Sequence, residues 1–109
     1  MTTLILPEPI AAYFAADKHN PEAVVRCFAA QAVVKDEGCS HVGLDAIRAW
    51  KAGVSSKYTY TSELLALEQK DGRHLVTSRV TGNFPGSQVN LRYDFRLERG
   101  LIASLEITV

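Results

Sequence analysis

Apolar residues change their spacing about halfway along the chain. In the first half they recur every three or four residues. In the second half they alternate with polar ones. Ile10, Tyr13 and Phe14 form the first helical stripe, followed in phase by Asp17 and entered through Pro7-Glu8-Pro9, where proline suits a first turn. Asn20-Pro21-Glu22 restarts a helix. Asn20 is a good cap, Pro21 fits the first helical position, and Glu22 complements the positive end of the helix dipole. Val24, Val25 and Phe28 are its inward set, with Cys27 in the same pattern. At residues 32–37 the period shifts, and Val33-Val34 marks a short strand ending at Gly38. Cys39, Ser40 and His41 then read as a loop. A third helix follows Gly43, with Asp45 in its first turn, Leu44, Ile47, Trp50 and Val54 along one face, and Ser55-Ser56 at its end.

Strands fill the rest. Residues 58–69 are rich in Thr and Tyr, and Lys70-Asp71-Gly72 is a hairpin turn. Residues 74–84 form the next strand, and Pro85-Gly86-Ser87 turns the chain again. Val89, Leu91, Tyr93, Phe95 and Leu97 then take one face; Asn90, Arg92, Asp94, Arg96 and Glu98 take the other. After Arg99-Gly100, an apolar face is expected at Leu101, Ala103, Leu105, Ile107 and Val109. This order predicts one α+β domain over residues 1–109, with three helices packed on one curved antiparallel sheet. Such a sheet and its third helix can form a cone with a partly open mouth, which is where an apolar pocket is expected.

Composition narrows the function. Twelve basic and twelve acidic residues give a formal net charge of zero, so no nucleic-acid partner is expected. No stretch approaches the ~20 apolar residues of a membrane span, and the first residues lack the basic region of a signal peptide, so a cytoplasmic location is expected. Two cysteines without framework spacing do not suggest a disulfide scaffold. Cys39-Ser40-His41 beside Asp36 lacks metal-ligand spacing, so no metal is expected. The scattered glycines form no phosphate loop, and no nucleophile sits in a triad setting. His19 and His74, each beside a turn or cap, are expected to be exposed.

The order of elements, with three segments, carries a resemblance. Residues 27–36, residues 43–50, and the final strands from Gly82 to Ser87, Leu91 to Leu97 and Ile102 to Ile107 resemble the NTF2-like superfamily, also called SnoaL-like or ketosteroid isomerase-like. The likeness covers nearly the whole chain. It implies a cystatin-like cone and commonly a homodimer through the sheet. It leaves function open, because the superfamily holds isomerases, cyclases, hydrolases, dehydratases and non-catalytic binding domains.

Three residues are candidates for chemistry. Ala32, Val34 and Asp36 share one strand face, so if Val34 is core Asp36 also points inward. A carboxylate held against hydrocarbon is a stronger base for a carbon-bound proton. Asp36 also matches the position of the general base in the isomerases. The alternative is a solvated turn at Lys35-Asp36-Glu37-Gly38. Tyr13 matches the isomerases' first-helix tyrosine, which donates to the developing oxyanion; the alternative is a packing tyrosine. Tyr93 stands where those enzymes carry a protonated aspartic acid, a carboxyl kept neutral so that it donates a hydrogen bond. Asp94 is one place off and should face outward, a departure from the isomerase pattern. Phe14, Val34, Trp50, Val76, Val80, Phe84 and Phe95 are expected to line the pocket, with Tyr58 and Tyr60 as further possibilities or as members of the opposite face.

Two readings follow. In the first, Asp36 abstracts a proton beside the carbonyl of a small apolar ligand while Tyr13 and Tyr93 hold the enolate oxygen, giving a cofactor-free isomerase or polyketide cyclase-like enzyme. In the second, the domain is a non-catalytic ligand-binding or dimerising module, with Arg92, Asp94 and Arg96 pairing across a two-fold axis.

Overall fold

A computed structural model describes residues 6–16, 21–57 and 60–109. The elements are α1 (Glu8–Ala16), α2 (Pro21–Val25), β1 (Phe28–Asp36), β2 (Cys39–Val42), α3 (Leu44–Lys57), β3 (Tyr60–Lys70), β4 (Arg73–Gly82), β5 (Val89–Glu98) and β6 (Leu101–Thr108). The strands make one six-stranded sheet in the order β2-β1-β6-β5-β4-β3. The α+β class, the three helices and the strand meander agree with the sequence. Asp17, His19, Asn20 and Tyr58 lie outside the described residues, as does the side chain of Val54.

Four details correct the sequence reading. First, the sheet is mixed: β6 closes the meander by lying parallel to β1, while the other neighbouring pairs are antiparallel. Second, Phe28 is 3% exposed as expected but opens β1 instead of ending α2. Third, residues 39–42 form strand β2, not a loop. Fourth, Leu101 and Val109 are 36% and 88% exposed, and Ile102 takes the fully buried place. The cause of the last is an irregularity between Arg96 and Leu97: Arg96 faces Ser104, but Leu97 faces Ile102. One additional residue on a strand exchanges its inward and outward sides.

The turn before β2 explains the first hairpin. Glu37 and Gly38 both have positive φ, 52° and 77°. Asp71-Gly72 and Arg99-Gly100 repeat this pattern at the other two tight hairpins. Positive φ at both central residues matches the twist of the flanking strands, and glycine reaches it without strain. Val33 then pairs with Val42, and Asp36 with Cys39. Gly43, also at positive φ, donates its N–H to Ala32 O at 2.9 Å, and α3 begins there.

The helices cover one sheet face. Ile10, Val24, Val34, Ile47, Val76, Phe95 and Ile102 have no exposed surface. Tyr13 carries α1 into this layer, with its ring edge-on to Phe14, Phe28, Tyr93 and Phe95 at centroid distances of 5.1–6.5 Å. Arg48 on α3 pairs with Glu22 on α2 and with Asp45 one turn earlier. All three are partly or fully exposed, so the trio joins the two helices at the surface and adds little stability.

Phe95→Ala should lower unfolding free energy by about 3–5 kcal/mol, because a buried ring leaves a cavity. Leu101→Ala should lower it by less than about 1 kcal/mol. Urea denaturation followed by circular dichroism reads both. Equal losses would place the core elsewhere.

Candidate functional site

Cross-strand pairing defines a row on the covered face. Asp36 faces Ile107, Ile107 faces Tyr93, and Tyr93 faces Val76. Asp36 and Tyr93 are therefore two strand spacings apart, roughly 10 Å between backbones. The inward parity read from Ala32, Val34 and Asp36 holds: Ala32 and Val34 are buried, and Asp36 is half-buried at the strand end. Asp36 is also half of a hydrogen bond. The Trp50 indole donates from Nε1 to Asp36 Oδ2 at 3.0 Å. Since Trp50 is 8% exposed, the carboxylate is held by a group that α3 fixes in the core. His41 of β2 packs beside that indole at 5.9 Å.

Three tyrosines share this face. Tyr13 and Tyr93 are 1% and 4% exposed, and Tyr60 of β3 is half-buried. Burial pushes the Tyr13 hydroxyl well above its ordinary range, with smaller effects from Tyr93, Tyr60, Asp36 and Cys27. Burial, then the charge of Asp36, raises Tyr93. Tyr60 is pushed up to about 12 by burial first, then by Tyr93 and Asp36. All three hydroxyls therefore keep their protons at neutral pH and can donate hydrogen bonds.

Of the expected lining, Phe14, Val34, Trp50, Val76 and Phe95 join the cluster around Tyr13 and Tyr93. Phe14 lies edge-on to Tyr93 at 5.1 Å. Val80 is buried, and Phe84 is half-buried beyond the end of β4; neither belongs to that cluster. Two recesses, of about 620 and 330 Å³, lie on the opposite face of the sheet. The first is lined by Thr77, Arg79, Asn90, Arg92 and Val109, and the second includes Lys35, Asp94 and Arg96. Asp94 does face outward, as the alternation required, and accepts from Arg73 at 2.9 Å.

Sequence reasoning missed Lys51. It is 3% exposed, between Trp50 and the end of α3. Its Nζ donates to Tyr60 Oη at 2.9 Å and lies 5.2–5.6 Å from the rings of Trp50, Tyr13 and Tyr60. The signal was present: Leu44, Ile47 and Lys51 follow helical spacing, so a lysine occupies a position on the apolar stripe. Burial alone lowers its pKa to about 7. Ser62 and Ser78 were also missed. Ser78 has no exposed surface, and the Oγ of each is buried without a hydrogen-bond partner. His74, expected to be exposed, is half-buried with Nδ1 similarly unpartnered, because its pairing with Phe95 turns it inward.

Among the described residues, no group of His, Cys, Asp and Glu is arranged to hold a metal ion. Among them, no helix is long and apolar enough to cross a membrane.

The family model described as a SnoaL-like domain matches residues 10–105. Among solved structures, the chain is similar to a "putative polyketide cyclase" from Sinorhizobium meliloti at 39% identity and a TM-score of 0.90, covering 94% of this chain and 95% of that one. It is also similar to a protein of ketosteroid isomerase-like fold from Catenulispora acidiphila, in complex with trimethylamine. That likeness has 21% identity, a TM-score of 0.86 and coverage of 96% and 87%. An uncharacterised cystatin-fold protein from Novosphingobium aromaticivorans matches at 15% identity and a TM-score of 0.77, with 98% and 100% covered. The last two likenesses show the fold alone. No curated protein matches the chain.

Lys51 gives the site a pH signature. In the folded chain it loses its proton near pH 7, whereas the unfolded chain keeps it to about the ordinary 10.5. Across that window the unfolded state binds more protons, so this residue makes stability rise with pH. Below pH 7 its burial penalty is fully present. The difference in unfolding free energy between the parent and Lys51→Met should therefore move in favour of the parent from pH 7 to pH 9. A pH-independent difference would show that Lys51 keeps an ordinary pKa in the fold.

Proposed function

The chain belongs to the SnoaL-like domain family of the NTF2-like superfamily, and on that premise we propose that it binds a small carbonyl compound on the covered sheet face and moves one of its carbon-bound protons through Asp36. The observation that carries this reading is the Asp36 carboxylate held at 3.0 Å by a buried indole, with its charge felt by buried tyrosines. Trp50 fixes one carboxylate oxygen. The other, Oδ1, takes the proton beside the ligand carbonyl. The electron pair of that C–H bond moves into the ring or chain, and the carbonyl oxygen becomes an enolate oxygen. Tyr13 and Tyr93 donate hydrogen bonds to it, and both hold their protons at neutral pH. Asp36 returns the proton at another carbon for isomerisation, or the enolate carbon attacks a second carbonyl for ring closure and the proton on Asp36 passes to the alkoxide oxygen so formed. Both routes balance without a cofactor. The similar protein from S. meliloti, whose name offers a polyketide cyclase, supports the cyclase branch.

Asp36→Asn keeps the shape and removes the base. Deuterium exchange into a panel of cyclic ketones, followed by NMR, should slow by roughly 10²-fold or more with this variant. Equal exchange by parent and variant would remove Asp36 from the chemistry.

The outer face favours a second property, a homodimer through the sheet. Arg79, Arg92 and Arg96 are exposed there beside Glu106 and the recess that includes Val109. Two such faces related by a two-fold axis can offset arginine against glutamate. Asp94 is less available for this pairing than the alternation suggested, because its own Arg73 already holds Oδ2. The free Cys27 and Cys39 suit a reducing, cytoplasmic compartment. Light scattering should give twice the chain mass for the parent and a shift toward monomer for Arg92→Glu. A monomeric parent at working concentration removes the dimer.

A further inference from the structure

The covered face carries polar groups that the proton transfer does not use. Tyr60, Ser62 and Ser78 lie there on the β3–β4 half of the sheet. Ser62 faces Val80, Leu64 faces Ser78, and Tyr60 and Ser62 point to the same side two residues apart. Ser62 and Ser78 are diagonal neighbours, about 7–8 Å apart, and Tyr60 precedes Ser62 on the same face, so the hydroxyls form a patch that runs from Tyr60 through Ser62 to Ser78. Lys51 comes down from α3 onto its edge and donates to Tyr60. A buried hydroxyl without a partner is destabilising. Ser62 and Ser78 are two such groups on one patch, and Ser78 is wholly buried. A purely apolar ligand would leave both unmatched.

We propose that this patch is a carboxylate subsite, and that the natural ligand is a keto acid whose carboxylate lies there while its carbonyl faces Asp36, Tyr13 and Tyr93. A carboxylate offers about four lone-pair sites. Lys51 Nζ, Tyr60 Oη, Ser62 Oγ and Ser78 Oγ are four donors of matching number. The inference rests on the functional reading above for the carbonyl end and adds the other end of the same ligand. It adds an acidic end to the small apolar carbonyl compound expected from the sequence.

Charge makes the subsite selective. Among the described residues, the groups facing Lys51 include Tyr13 from α1, Tyr60 from β3 and Trp50 from its own helix; Asp36 of β1 lies beyond Trp50, Tyr93 of β5 beyond Tyr13, and Cys27 acts on Tyr13. The aromatic rings attract a cation weakly compared with water. A bound carboxylate brings an opposite charge into the same low-dielectric space and favours the ammonium form. Binding of an acid above neutral pH therefore draws one proton from solution onto Lys51. A neutral analogue draws none.

Isothermal titration with 2-naphthoate and 2-naphthamide at pH 8, in two buffers of different ionisation heat, tests this. The parent should bind naphthoate more tightly than the amide and take up close to one proton per molecule, by linkage to Lys51. Lys51→Met should lose the preference for the acid and the proton uptake. Ser78→Ala should weaken naphthoate roughly tenfold, the effect of one hydrogen bond to a charged group. Asp36→Asn should retain acid binding and its proton uptake, so a failure of the proton-transfer reading leaves this result intact. Absence of naphthoate binding, equal binding of acid and amide, or binding without proton uptake by the parent would each overturn the subsite. So would loss of acid binding in Asp36→Asn with retention in Lys51→Met.

Discussion

The packing of one phenol ring organises the molecule. Tyr13 meets Phe14 on its own helix, Phe28 on β1, and Tyr93 and Phe95 on β5, and the ammonium group of α3 lies 5.6 Å from its centroid. Helix α1 is nine residues long, too short to be stable in water alone. Its place is set by this ring and by Ile10. Edge-on aromatic contacts add about 0.5–1.5 kcal/mol each beyond area burial, so the three that reach the sheet can anchor the helix. The same ring carries a hydroxyl into the space that Asp36 and Tyr93 influence. The contact that closes the core thus also supplies a hydrogen-bond donor to it.

Much of this arrangement was legible in residue order. Alternation in residues 89–97 gave β5 its faces, and the same parity placed Asp36 inward. Both are local properties of a strand with a period of two. What escaped depended on geometry between strands. The irregularity opposite Leu97 moved Ile102 inward and Leu101 outward, and nothing in Leu101-Ile102-Ala103 marks it, since all three are apolar. β2 escaped because Cys39-Ser40-His41 carries no β-branched residue. Its turn, however, has the same X-Gly form as Asp71-Gly72 and Arg99-Gly100, which were legible. The parallel contact of β1 with β6 joins residues some seventy positions apart and is invisible to any local window.

The candidate site divides the same way. Asp36 and Tyr93 follow from strand parity, and Tyr13 from a helical stripe. Their relation to one another depends on the strand order, which inserts β6 between β1 and β5. The Trp50 bond to Asp36 needs α3 to cross over the end of β1, a tertiary fact with no sequence marker. Lys51 was passed over because charge is normally read as exposure. On an otherwise apolar stripe the more informative reading is the reverse: a lysine there is buried by its neighbours whatever its own preference.

That burial bears on what the domain is for. Replacing a buried cation with hydrocarbon of similar volume is often neutral or stabilising. Lys51, with two hydroxyls lacking partners on the facing strands, therefore works against stability in a chain of only 109 residues. The arrangement resembles the trade between stability and function found where active sites hold strained or mismatched groups. Asp36 is held by the Trp50 indole, while Lys51, 5.2 Å from the same ring, and the serines of β3 and β4 present further donors. A ligand carrying an ionisable proton near one end and an anionic oxygen at the other would satisfy both. The apolar rings between them would exclude water and strengthen each interaction. On this view the polar groups set which molecule enters and which way round it lies, and the hydrocarbon makes their charges count.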